Sequence, residues 1–240
     1  MKNILILFIS FVTLYNNAQS QSAGRVFVQG CYNFFTMTDL KNFQQELLTD
    51  LTDQGLDAKI TDSYPAYYGL KAGLLIPIRS YPAKEILVGG FIDFSATGAR
   101  IHYSDYSGEI IIDQKVNAVS LGAVVSFCTY ENDFFQLYFD VNARFIFSKF
   151  KNEFTTKLFN QIEQQDLVFN AVSFGLEPAL VPSINVYPFN FGLAVSYMIA
   201  LPTTLEYEAY DGANLVNKNG DEVAINWSGF KLGLSAKYLF

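Results

Sequence analysis

The sequence predicts an all-β fold: an eight-stranded antiparallel up-and-down transmembrane β-barrel with long extracellular loops and one short helix in the first loop. Three observations predict it. Long segments alternate apolar and polar residues with period two, the signature of a strand facing two different media. Half the residues are apolar, yet residues 21–240 hold no unbroken apolar run of the roughly 18 residues that a membrane helix needs. The connections between alternating segments run long, short, long, short, long, short, long, as they do in bacterial barrels. Aromatic residues make up 16% of the chain, which suits a wall with interfacial aromatic girdles better than a soluble core.

Residues 1–20 read as a signal peptide, leaving 21–240 as a single barrel domain. Lys2 is the basic start, Ile4 to Tyr15 the apolar centre, and Ala18-Gln-Ser20 a small-residue cleavage site. The formal net charge is −7, and removing the leader, whose one charged residue is Lys2, makes it −8. That acidity argues against nucleic acid as a partner. The two cysteines, Cys31 and Cys128, fall on strands that are not neighbours, so two buried thiols are expected rather than a bridge.

The first strand is Arg25 to Phe35, with Val26, Val28, Tyr32 and Phe34 on one face and Arg25, Gln29, Cys31 and Asn33 on the other. The period then changes. Leu40, Phe43, Leu47 and Leu51 recur at helical spacing between Thr38, read as the N-cap, and Gly55, read as the stop. The apolar stripe suits a lid packed on the barrel mouth. Tyr67 to Ile78 is the second strand, and Arg79 to Glu85, with Pro82, a short connection. The third strand starts at Ile86 and continues past Arg100 as a hairpin arm turning near Ser107-Gly108; the return arm feeds the fourth, Val116 to Thr129.

The fifth strand alternates most cleanly. Phe135, Leu137, Phe139, Val141, Ala143, Phe145 and Phe147 oppose Gln136, Tyr138, Asp140, Asn142 and Arg144. Lys149 to Asp166 reads as a long polar loop. The sixth strand runs from Leu167 to about Val186. Pro178 and Pro182 cannot donate to a ladder, and a closed barrel has no free edge, so a bulge is expected there. After a tight turn at Pro188-Phe-Asn190 comes the seventh strand, Phe191 to Leu201, and then an acidic loop, Pro202 to Asn226. The closing strand sets Phe230, Leu232, Leu234, Ala236, Tyr238 and Phe240 against Lys231, Gly233, Ser235 and Lys237.

This pattern, with Gly-Ala-Arg-Ile-His-Tyr at 98–103 after a long strand and the terminal Phe240, resembles the small outer-membrane β-barrel domain family, with its OmpA-like, OmpW-like and PorT-like members. The resemblance covers essentially all of 21–240. It implies an integral protein of the outer membrane of a Gram-negative cell, in contact with outer-membrane lipid and lipopolysaccharide. It also implies that Phe240 belongs to the signal read by the barrel-insertion machinery. No active site comes with it.

On this register the lumen collects Arg25, Lys71, Arg144, Lys231 and Lys237 with Asp93, Asp140 and Glu177. An eight-stranded barrel is just wide enough to be filled by side chains. Opposite charges inside it are expected to pair, since an unpaired buried charge costs several kcal/mol. The expectation is therefore a non-enzymatic monomer, plugged by paired charges, that meets its surroundings through its loops.

Neither a catalytic set, a metal site nor a cofactor motif is expected. His102 lies near Ser104 and Asp105, but neighbours on a strand alternate faces, and a triad is a matter of geometry. Asp211, Asp221 and Glu222 lack calcium-loop spacing. Three rivals remain: a barrel enzyme acting on lipids, a small-solute channel, and a secreted lipocalin-like carrier. The carrier requires Phe139, Phe145 and Leu232 to point inward.

Overall fold

The computed structural model describes residues 24–78, 85–106, 108–158, 161–210 and 212–240. The leader assigned to residues 1–20, the connection at 79–84, Ser107 and Asp211 lie outside the described residues. Eight strands form the wall: β1 (Arg25–Phe35), β3 (Tyr67–Ile78), β4 (Ile86–Ser104), β5 (Gly108–Glu131), β6 (Phe135–Leu158), β7 (Gln161–Val186), β8 (Phe189–Ala200) and β12 (Gly229–Leu239). Each pairs antiparallel with its successor, and β12 pairs with β1 from Arg25↔Leu239 to Phe35↔Gly229, closing the ring. Helix α1 (Thr38–Asp53) and strand β2 (Lys59–Ser63) lie between β1 and β3. The short strands β9 (Thr203–Thr204), β10 (Glu206–Tyr207) and β11 (Ala224–Ile225) lie between β8 and β12.

The alternation is inverted relative to a soluble barrel. Phe230, Leu232, Leu234 and Tyr238 of β12 face outward, while Lys231, Ser235 and Lys237 are buried inside. From Phe230 to Tyr238 is nine residues, the span of one membrane strand. Exposed aromatics collect at both rims of this belt. Tyr32 and Tyr68, 5.2 Å between ring centroids, lie towards the loop end, and Phe189 and Tyr238, 5.5 Å apart, towards the turn end. Phe139, Phe145 and Leu232 are 37%, 58% and 38% exposed on the outside, which removes the lipocalin-like arrangement.

Two expectations about the wall are corrected. Residues 149–166 are not a loop: β6 and β7 stay paired from Phe135↔Ile184 to Leu158↔Gln161. Beyond Val119↔Phe147 the wall leaves the apolar belt and carries on for eleven residues to Gly108↔Leu158, about 35 Å at strand rise. Outside the belt the outward positions become Lys149, Lys151 and Glu153, and Ile146 and Phe150 turn inward.

Nor is there a bulge at the prolines. The β7–β8 ladder holds one register from Gly175↔Ala200 to Val186↔Phe189 but skips the positions of Pro178 and Pro182. The backbone of Phe174 accepts from Leu201 N–H across that seam, so even-numbered β7 residues face β8. Both prolines therefore lack a donor on the β8 side only, and the barrel drops those bonds without shifting register.

Helix α1 closes the loop end. Met37, in the left-handed region at φ 46°, precedes it with no side-chain cap, so the expected N-cap at Thr38 gives way to a first helical residue. The Met37 side chain is fully buried in the mouth, in one cluster with Leu40. Gly55 at φ +84° ends the helix, with its N–H donating to Thr52 O at 2.9 Å. Leu47, Leu48 and Leu51 lie against Ile101 and Ile112 on the inner face of the projecting wall.

The segment 202–226 is also more ordered than a loop. Strands β9 and β11 pair, β10 pairs with β7, and Leu205, Val223 and Ile225 drop into the mouth. The Lys218 ammonium binds the Asp50 carboxylate on α1, which ties the two parts of the cap together.

Candidate functional site

The lumen is built in layers. At the loop end Phe35, Met37, Leu40, Ile146, Phe150, Phe169, Met198, Leu205, Ile225 and Trp227 form an apolar plug. Trp227 is seated by a T-shaped contact with Phe35, ring centroids 4.7 Å apart, and by a hydrogen bond from its Nε1 to Ser148 Oγ at 2.7 Å. The alternation that placed Arg144 inside also places Ile146, Ser148 and Phe150 inside, but this apolar layer was not expected.

Beneath the plug lies a charged layer. The Arg144 guanidinium bridges Asp93 through Nη1 and Glu177 through Nη2, the latter at 2.6 Å. Lys231 Nζ lies 3.2 Å from Asp93 Oδ2 and 3.3 Å from Glu177 Oε2, giving two cations and two carboxylates in mutual contact. All four side chains are at most 4% exposed. Planar Arg is suited to this bridging because its fork meets two carboxylates at once.

Lys71 joins by a different route. Its Nζ donates to Asn142 Oδ1 at 2.7 Å and stands 4.2 Å from the Phe91 ring centroid, while Asn142 donates to the Glu177 carbonyl at 3.0 Å. The layer has a cavity of about 10 Å³ lined by Asp93, Ser95, Ser120, Arg144 and Lys231. That is about the size of one water and far below a solute path.

The turn end holds a third group. Arg25 donates to both Glu85 oxygens at 2.8 and 2.7 Å and to the Tyr138 hydroxyl at 2.7 Å. Tyr138 in turn donates to Gln136 Oε1 at 2.8 Å, and Asn190 donates to the same oxygen at 3.2 Å. Glu85 escaped the sequence reading because it sits before β4, in what reads as a connection. Lys237 Nζ stacks 4.5 Å over the Tyr138 ring. Asp140 accepts a hydrogen bond from Ser126.

The eight lumen residues named from sequence thus divide three ways. Asp93, Arg144, Glu177 and Lys231 meet in one cluster, with Lys71 one hydrogen bond away. Arg25 pairs with Glu85. Lys237 and Asp140 form no ion pair with the others among the described residues, so universal pairing is corrected: aromatic faces, an amide and a hydroxyl take the place of some counter-ions. Cys31 and Cys128 are separate buried thiols on β1 and β5.

Outside the belt, His102 Nε2 lies 3.0 Å from Glu109 Oε1, while Asp105 accepts from the Tyr103 hydroxyl and the Gly108 N–H in its own turn. Ser104, His102 and Asp105 are therefore not assembled as a triad. Asp221 and Glu222 accept from Asn217 and Asn214, and no metal-holding cluster occurs among the described residues.

The projecting wall carries a charge ladder. Lys115 is 2.5 Å from Glu153, and Lys151 is 2.6 Å from Glu153 and 2.8 Å from Asp166. Hydrogen bonds from Lys115 and Lys151 hold the Glu153 carboxyl below its ordinary value, and Lys151 does the same for Asp166. A lowered carboxylate contributes stability that is complete above its ordinary pKa and fades as pH falls through the folded value. Amide exchange at residues 151–157 and 162–166 is expected to be unchanged from pH 7 to 5 and to quicken below about pH 4. A rate that, corrected for intrinsic exchange, is flat down to pH 2.5 would count against the ladder.

No protein-family model and no curated protein matches the chain. Among solved structures it is similar to Ail, the attachment invasion locus protein of Yersinia pestis, at 14% identity and a TM-score of 0.32, covering 92% of this chain and 100% of that one. The barrel assignment stands on this chain's own closed strand pairing.

Proposed function

We infer that the chain is a non-enzymatic integral outer-membrane β-barrel, exported by a cleaved leader at residues 1–20, with its lumen plugged and its capped, projecting wall turned to the cell exterior. The observation that carries this reading is the inverted wall: an aromatic-rimmed apolar belt outside and buried ion pairs inside. Water cannot support that outer face at such length, and hydrocarbon can. The short turns at Asn132–Phe134 and Tyr187–Pro188 then face the periplasm. Lipid and lipopolysaccharide contact the belt and its rim, and the insertion machinery reads the terminal strand with Phe240. The closed ring leaves no strand edge inside the membrane for a second barrel to pair with, which supports reading the protein as a monomer.

The test is migration of the outer-membrane fraction in SDS gels, unboiled against boiled. A closed barrel is expected to resist SDS until heated and to shift in mobility on boiling. A soluble protein, or one with a single mobility in both lanes, overturns the reading.

A further inference from the structure

The wall has a gap just above the apolar belt. Strand β3 leaves β4 after Gly69↔Ser95, and β2 joins β4 only at Ser63↔Ala99, so Ala96, Thr97 and Gly98 have no paired strand on that side. Tyr64 and Pro65 carry the chain across. Tyr64 sits in the left-handed region at φ 46°, with its side chain buried and its hydroxyl donating to Gln114 Oε1 at 2.6 Å. Its N–H donates to Gly98 O at 2.8 Å, and Thr97 Oγ1 donates to Pro65 O at 2.9 Å. These bonds seal the inner side of the gap. The outer side is left as a cleft of about 460 Å³, a size at which small molecules are bound. Its floor is bare, formed by Ala96 and Gly98, and a Cβ on Gly98 would stand 2.7 Å from Gln114 O.

The polar groups around that floor narrow the ligand. The lining holds two carboxylates, Asp62 and Asp113, and two cations, Arg100 and Lys115, so no net charge draws in a phosphate or a metal ion. Arg100 and Asp113 are bound to each other, and Lys115 is bound to Glu153. The Asp62 carboxylate, the Asn117 amide and the Tyr67 hydroxyl have no side-chain hydrogen bond among the described residues. Tyr67 is 51% exposed, a ring beside an empty concavity.

A ligand that suits this lining is uncharged, both donates and accepts hydrogen bonds at several points, and has a C–H face for an aromatic ring. We propose that the cleft binds a neutral pyranose sugar, with Asp62 and Asn117 meeting its hydroxyls and Tyr67 its apolar face. A carboxylate accepts from sugar hydroxyls, and an amide both donates to them and accepts from them, which matches the two open polar groups. The position of the site rests on the outer-membrane reading above. The first rung of the cleft, Ala96↔Asn117, follows directly on the exposed belt residues Phe94 and Val119, so the cleft opens at the level of the lipid headgroups. Two sources present a sugar there: the head of a glycolipid in the same leaflet, and free glycan at the cell surface.

The test uses the full chain in lauryldimethylamine oxide, a detergent with no sugar head. Saturation-transfer NMR is run against glucose, galactose, mannose and N-acetylglucosamine. Transfer to the ring protons of at least one of them is expected. Asp62→Ala and Tyr67→Ala are each expected to weaken that binding about tenfold, as losing a hydrogen bond to a charged group or an aromatic anchor does. Gln164→Ala, on β7 away from the cleft, is expected to bind as the unaltered chain does. Transfer to none of the four sugars, or binding that survives both cleft substitutions, overturns the site. Displacement of the sugar by inorganic phosphate overturns the neutral ligand. The boiling shift of each variant is scored in parallel, so a failed cleft and a failed barrel reading are distinguishable. Phosphatidylcholine vesicles, with and without a glycolipid bearing the bound sugar, then separate the sources. Loss of free-sugar binding when the glycolipid is present assigns the cleft to the leaflet, and undiminished binding assigns it to free glycan.

Discussion

Arg144→Met is expected to destabilise the barrel by about 3–5 kcal/mol, the cost of removing one partner from a buried ionic cluster. The side chain is fully buried and holds Asp93 and Glu177 at once. Without it two buried carboxylates share Lys231, with Lys71 engaged by Asn142. Methionine fills much of the volume, so the loss is electrostatic rather than a cavity. Urea unfolding in detergent, followed by loss of the fast unboiled band, measures it. Adding Asp93→Asn in the Arg144→Met background is expected to recover part of the loss, because one stranded charge is removed with its desolvation cost. A loss below about 1 kcal/mol, or a double variant worse than the sum of the two single changes, would sink the view that these groups act as one unit.

The strand plan was legible because lipid imposes a strict rule. Every membrane-crossing position must be apolar outside, and Phe135 to Phe147 on β6 obeys it residue by residue. The same rule hid the projecting wall. At Ile146–Lys149 the outside medium changes from hydrocarbon to water and the inside changes from charged layer to apolar plug, so the two faces exchange character. A reading that expects apolar residues outside sees Lys149, Lys151 and Lys157 and ends the strand. The alternation itself continues through Phe150, Asn152 and Phe154 with its sign reversed. Arg144 and Glu177 were legible as lumen residues by parity. Their joint contact with Asp93 and Lys231 depends on the stagger of four different strands, which no single strand's sequence contains. Glu85 was hidden for a related reason: parity assigns residues within strands, and it precedes one.

The plug and the charged layer close the lumen in series, which separates two effects of one substitution. Trp227→Ala is expected to destabilise the protein by about 3–5 kcal/mol, as for a large buried aromatic in a well-packed site. It removes the edge contact to Phe35 and leaves the Ser148 hydroxyl without its donor. Trp227 also lines the water-sized cavity above Arg144, so the truncation enlarges a space that already has polar walls, and water is expected to fill it. Conduction does not follow. Below that space Arg144, Asp93, Glu177 and Lys231 still span the barrel, and an ion crossing them would have to break buried contacts worth several kcal/mol. The variant is therefore expected to unfold at lower urea and to remain silent in planar bilayers. Open-channel currents from Trp227→Ala would mean that the apolar cap alone closes this barrel, and that the charged layer lines a path instead of blocking one.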